Sequence, residues 1–123
     1  MLIIVSEAQT TSPDPGIGRE LTAFQQNILT ILADDARYGL AIKRELETYY
    51  DSEVNHGRLY PNLDDLVTMG LVEKSELDKR TNEYGLTEDG VEAVFGQLEW
   101  VFSNVATDDD RAERLRSLVE QYE

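Results

Sequence analysis

Asn55, His56, Arg58 and Tyr60 stand within one short stretch, and Lys79, Arg80 and Thr81 follow on a polar segment downstream. These side chains offer hydrogen bonds and charge rather than a nucleophile. An arginine fork matches the O6 and N7 acceptors of guanine, and an asparagine amide matches adenine. Lysine, arginine and hydroxyl groups suit phosphate oxygens. Tyr38, Lys43 and Arg44 add a phenol and two cations upstream. Each also has a plainer role open to it. Asn55 can simply cap a helix, His56 can be solvated, Tyr60 can pack against a neighbouring strand, and Lys79-Arg80 can be an ordinary solvated turn. Their concentration in a chain poor in cations favours an interface with an anionic partner.

The elements that must position these groups follow from periodicity. Leu21, Phe24, Ile28, Ile31 and Leu32 fall at helical spacing, and Tyr38, Ile42, Leu46 and Tyr49 make a second stripe after a turn at Arg37-Tyr38-Gly39. Asp51-Ser52 breaks it. A third helix carries Leu59, Leu63, Leu66 and Val67 inward, with caps available between Ser52 and His56, Pro61 near its start and Gly70 as its stop. Asn55, His56, Arg58 and Tyr60 fall on its early turns, largely off the leucine stripe. Leu71–Leu77 and Glu83–Leu86 read as two strands joined by the polar tip 78–82. Thr87 caps a further helix, with acids favourable in its first turn. Three helices, a hairpin and a helix are the order of a winged helix-turn-helix, in which one helix enters the major groove and the hairpin lies beside it.

The last third differs in kind. Val91, Val94/Phe95, Leu98, Val101/Phe102 and Val105 recur at three- and four-residue intervals. After Asp108-Asp109-Asp110 a short helix carries Ala112, Leu115, Leu118/Val119 and Tyr122. These stripes are wider than a small core needs; the helices could fold back over the domain, but the width favours a partner helix and a dimer. The expected division is a leader at 1–18, a winged helix-turn-helix at 19–90 and a helical dimerisation element at 91–123, centred on Leu98, Phe102, Leu115 and Leu118. The expected fold class is mainly α with a small β-hairpin wing.

Charge bears on the partner. The chain of 123 residues holds 25 Asp and Glu against 11 Lys and Arg, a net charge of -14. The acids are spread over every segment and only Lys43, Lys74 and Lys79 are lysine, a pattern that fits an ordinary acidic domain but favours a protein built for a saline interior, where screening suppresses self-repulsion. DNA binding by such a chain implies inorganic cations held at the interface. Cysteine is absent, which excludes disulfides, thiolate metal sites and thiol sensors. With His56 the only histidine, a multi-histidine metal site is excluded too. The longest apolar run, Leu2–Val5, is too short to span a membrane and lacks the flanks of a secretory signal, so the expected location is the cytoplasm.

The segment Tyr38-Gly39-Leu40-Ala41-Ile42-Lys43-Arg44-Glu45-Leu46 resembles the second helix of PadR-like regulators. Gly57-Arg58-Leu59-Tyr60-Pro61-Asn62-Leu63, with Leu66 and Gly70-Leu71-Val72, is similar to that family's recognition helix and first wing strand. Tyr84-Gly85-Leu86-Thr87-Glu88-Asp89-Gly90 resembles its second wing strand and the helix that follows. The likeness covers about residues 21–95. The family's usual Gly-Thr before Leu-Tyr-Pro is here Gly57-Arg58, which sets a longer cation at that surface. Combined with the acidity, the chain resembles a haloarchaeal member. That implies a homodimeric transcription factor bound to double-stranded DNA and tied to oxidative-stress genes.

Nothing points to an enzyme. No nucleophile motif surrounds any serine, no Gly-rich phosphate loop is present, and Asp108-Asp109-Asp110 is better explained as a helix cap than as a cation site. No cofactor or metal is called for. Two alternatives to DNA binding remain: a winged helix used for protein–protein contact, and an acidic surface that engages a basic partner.

Overall fold

The computed structural model describes residues 20–78 and 81–123. The leader expected at 1–18 therefore lies outside the described residues. The elements run α1 (Ala23–Leu32), β1 (Arg37–Tyr38), α2 (Gly39–Tyr50), α3 (His56–Thr68), β2 (Val72–Glu76), β3 (Asn82–Leu86), α4 (Glu88–Val105) and α5 (Asp109–Glu120). The strands form one antiparallel sheet in the order β1-β3-β2. The winged helix-turn-helix read from the sequence is thus present, with one strand more. Arg37-Tyr38-Gly39 was expected to turn the chain and Tyr38 to open the second apolar stripe, yet Arg37 pairs with Tyr84, Tyr38 pairs with Glu83, and Tyr38 is exposed.

The ends of α3 show how local chemistry fixes this arrangement. Asn55 is its N-cap, its Oδ1 accepting the Arg58 N–H at 2.9 Å. At the other end Gly70 takes a φ of 80°, a region open to glycine. Leu71 N–H then reaches back to Leu66 O and Gly70 N–H to Val67 O, the double bond pattern of a Schellman stop. The chain reverses directly into β2.

One face of every helix in the first four closes on a common core. Phe24, Ile28, Leu29 and Leu32 of α1 meet Ile42 and Leu46 of α2, Leu59, Leu63 and Leu66 of α3, and Val72 and Tyr84 of the sheet. Burying one such side chain contributes roughly 1.5–3 kcal/mol. That orients α3 by its three leucines and leaves Gly57, Pro61, Asp64, Asp65 and Thr68 facing outward.

The first turn of α4 is anchored on the α3–β2 turn. Thr87 accepts from Gly90 N–H at 3.0 Å, donates its hydroxyl to Gly70 O at 2.7 Å, and bonds Leu71 O through its own N–H. A Cβ at Gly90 would stand 2.1 Å from Leu71 O, so only glycine permits this approach. The boundary expected between residues 90 and 91 falls within α4, which runs through it unbroken. Asp108 is the N-cap of α5, its side chain accepting the Arg111 N–H at 2.9 Å, and no residue of α5 is buried.

Candidate nucleic-acid interface

α3 presents its N-terminal half to solvent beside the β2–β3 hairpin. Asn55, His56, Gly57 and Arg58 are exposed. The rings of His56 and Tyr60 stack in parallel, 6° between planes with centroids 5.5 Å apart. Tyr60 is half-buried, and its ring lies across the start of α2. A Cβ on Gly39 would stand 2.6 Å from Tyr60 Oη. Tyr38, immediately before, is the N-cap position of α2 and is exposed. Tyr60 therefore packs between the exposed His56 of α3 and the buried Gly39 that opens α2, next in sequence to the exposed Tyr38.

Asn55 serves as a cap, which occupies its oxygen and leaves its amide as a donor. Arg44 is exposed on α2. Thr81 is half-buried at the hairpin, its carbonyl accepting Leu77 N–H at 2.9 Å. Lys79 and Arg80 lie outside the described residues.

Two expected contacts are engaged within the protein. Lys43 Nζ lies 2.9 Å from Glu47 Oε2, and both side chains are largely covered. Glu47 also accepts the Val54 N–H at 3.0 Å. That backbone bond first, and the lysine second, lower the Glu47 carboxyl from its ordinary value. Glu47 thus ties α2 to the loop before α3, and Lys43 holds its carboxylate from within α2. Arg58 is exposed as a residue, yet its guanidinium carbon lies 3.9 Å from the Phe24 ring centroid and 5.9 Å from that of Tyr50.

Several residues that position this surface escaped the sequence reading. Gln25, nearly fully buried, completes a capping box with Thr22 and donates its amide to Asn62 Oδ1 at 3.1 Å. Asn62 in turn donates to Arg58 O at 2.7 Å. Tyr84 of β3 is only 1% exposed. Burial raises its phenol above the ordinary 10.0, the Asp64 carboxylate and Tyr60 push the same way, and a bond from the Asn82 side chain opposes them. The Asn82 Oδ1 is buried with no partner among the described residues. The i,i+4 spacing of Lys43 and Glu47 was the one signal available in advance.

The four residues expected at a dimer seam are uncovered in the protomer to differing degrees. Leu98, Phe102 and Leu118 are exposed and Leu115 is half-buried. Phe102 and Leu115 line a groove of about 400 Å3 between α4 and α5, together with Ala106, Ala112 and Val119. Val91, Phe95, Leu98, Phe102 and Val105 fall on one line along α4 and are all exposed, Phe95 to 61%.

The family model for the transcriptional regulator PadR-like family matches residues 28–94. Among solved structures, RosR of H. salinarum grown from NaBr is 67% identical, with a TM-score of 0.82, over 85% of this chain and 94% of that one. The complex described as hsRosR-S4 is 65% identical, with a TM-score of 0.85, over 88% and 95% of the two chains. A transcriptional regulator from Clostridium thermocellum is 23% identical with a TM-score of 0.55, over 64% of this chain and 83% of that one, a likeness of fold alone. A comparison with curated protein sequences finds no match. Among the described residues, no helix is long and apolar enough to cross a membrane.

Proposed function

The chain belongs to the PadR-like family of transcriptional regulators, and on that premise we propose that it works as a homodimer reading a specific operator in a saline cytoplasm. It is a DNA-binding regulator and not an enzyme. The observation that supports the finer reading best is the exposed N-terminal half of α3, set beside the hairpin on a scaffold that fixes its orientation. His56, Tyr60 and the Asn55 amide face base edges or the sugar-phosphate wall. Tyr38, Arg44 and Thr81 contact phosphates, and Lys79 and Arg80 extend that set from the hairpin tip.

The dimer rests on the exposed line of α4. Its 4-3-4-3 spacing is that of a coiled-coil seam, and a single chain leaves it wet. Two copies joined there present two α3 helices to half-sites about one helical turn, roughly 10 bp, apart or a multiple of it. Control of oxidative-stress genes is carried over from the resemblance to haloarchaeal members. With no cysteine in the chain, any such signal acts through something other than a thiol of this protein.

Operator affinity is expected to vary weakly with salt or to rise with it. The carboxylates approaching the duplex require screening and cations between the two surfaces. The test is selection of duplexes from a random pool in molar KCl, then titration of the winner at several KCl concentrations, with mass followed by light scattering. Failure to enrich any duplex overturns the DNA-binding reading. A steep fall of affinity with salt, in protein that stays folded and dimeric, overturns the salt mechanism alone.

A further inference from the structure

We propose that Arg58 is a positioning residue, a clamp that locks α3 against α1 and α2, rather than a reader of bases. The inference rests on the DNA-binding reading above. The guanidinium lies on the Phe24 ring at 3.9 Å, with Tyr50 at 5.9 Å. Those two rings form a wall of their own, stacked at 16° with centroids 6.1 Å apart. The wall is rigid. Phe24 is 4% exposed, the Tyr50 hydroxyl accepts from Asn27 Nδ2 at 2.8 Å, and Tyr49 meets Tyr50 edge-on.

The residue is held a second time through its backbone. Arg58 O accepts from Asn62, Asn62 accepts from Gln25, and Gln25 closes the capping box of α1. The side chain and the carbonyl of one residue thus bind the start of α3 to the start of α1. No carboxylate pairs with Arg58 among the described residues.

Electrostatics argues the same way. Arg58 is the third residue of α3, in the first turn, where the helix dipole disfavours a cation. The face of an aromatic ring offsets that cost by cation–π attraction. A helical step of about 100° per residue places Arg58 at the flank of α3, between the buried line of Leu59 and the outward line of Gly57 and Pro61. Reaching a guanine edge in the groove would require leaving the ring.

The chemistry separates three roles. Loss of a base contact changes preference at one operator position, and loss of a phosphate contact lowers the salt slope by about 1. A clamp does neither. Its loss weakens binding to every sequence alike, by no more than the clamp itself stabilises the competent pose, roughly 2- to 30-fold. Phe24 is too deeply buried to touch DNA, so Phe24→Leu is the decisive companion.

The experiment measures affinity for the selected operator and its single-base variants, at several KCl concentrations, for wild type, Arg58→Ala, Arg58→Lys, Phe24→Leu and the double variant Phe24→Leu/Arg58→Ala. A uniform loss is expected in both single alanine and leucine variants. The ranking of operators and the salt slope stay unchanged, the double variant is no worse than the weaker single, and Arg58→Lys is intermediate. In the free protein, the urea midpoints of the same set form a cycle that needs no DNA, and a non-additive shift is expected there. Additive midpoints overturn the clamp whatever the protein binds. A changed ranking at one position in Arg58→Ala but not in Phe24→Leu assigns Arg58 to a base and overturns it equally. Absence of binding by wild type defeats the DNA-binding reading instead, while the urea cycle still decides the clamp.

Discussion

Gly39→Ala separates the interface from the fold. The new Cβ would sit 2.6 Å from Tyr60 Oη, 3.0 Å from Cε1 and 3.1 Å from Cζ, against ordinary contact at 3.4 Å or more. The ring must therefore yield by about 0.8 Å at its hydroxyl end. Overpacking of this kind costs about 1–3 kcal/mol, and replacing a helical glycine by alanine returns up to about 1 kcal/mol. The net loss of stability is expected between roughly 0 and 3 kcal/mol. The ring cannot move alone, because it stacks on His56 at 5.5 Å. Both residues of the proposed interface shift together, which should cost about 1–2 kcal/mol of operator binding, roughly 5- to 30-fold. Adding Tyr60→Phe removes the shortest contact and should restore stability in the Gly39→Ala background. The assays are urea denaturation and operator titration. A Gly39→Ala protein that binds its operator as wild type does, with an unchanged midpoint, would falsify both the packing argument and the place of Tyr60 at the DNA.

Three further substitutions test other parts of the structure. Leu98→Asp or Phe102→Asp puts a carboxylate on the α4 seam, so light scattering should report halved mass while circular dichroism stays helical; an intact dimer would move the interface elsewhere. Thr87→Ala removes both the α4 cap and the bond to Gly70 O, at about 1 kcal/mol for each, and should lower stability by about 1.5–2.5 kcal/mol in urea. For Tyr84 the folded phenol titrates above its unfolded value of 10.0. Its contribution is complete below pH 10 and is lost as the pH climbs through the folded value. Stability should fall on that alkaline limb, and Tyr84→Phe should flatten it; an equal slope in the variant would exclude Tyr84 as its source.

Much of the architecture was legible because its signals are local. Asn55, Gly70 and Thr87 announce helix ends by type, and the leucines of α3 announce their face by spacing. β1 was not legible, since two residues carry no alternation and Arg37-Tyr38 is a strand only because Tyr84 and Glu83 lie beside it. The candidate site was legible as a place but not as a set of directions. Spacing put Arg58 on the early turns of α3, yet its direction depends on a ring from α1. Lys43 looked free for phosphate, although Glu47 one turn later is its natural partner. The close approach of Gly39 to Tyr60 joins two elements and leaves no trace in either stretch alone.

The ion pairs change what the net charge means. Among the described residues, Arg37 is paired with Asp34, Lys43 with Glu47 and Arg116 with Glu113, while Arg58 covers Phe24. In the described part of the winged domain that leaves Arg44 on α2 and Lys74 on β2, both exposed. Lys79 and Arg80 can add two more per protomer. Counterion release scales at about 0.9 per phosphate neutralised, so two to four cations give a salt slope of only about 2–4 per half-site. Meanwhile Asp64 and Asp65 are exposed on α3, and on the proposed reading they approach the duplex with it. Each carboxylate brought against a phosphate needs a cation taken up from solution, which enters the slope with the opposite sign. The two contributions are then comparable in size. On the proposed reading, affinity therefore comes from shape, hydrogen bonds and a rigidly held α3, with salt setting whether the approach is allowed. That is also why a clamp built from Arg58 and Phe24 matters more here than in a strongly basic binder: with little long-range attraction to recover a misplaced helix, the pose of α3 has to be set before the DNA arrives.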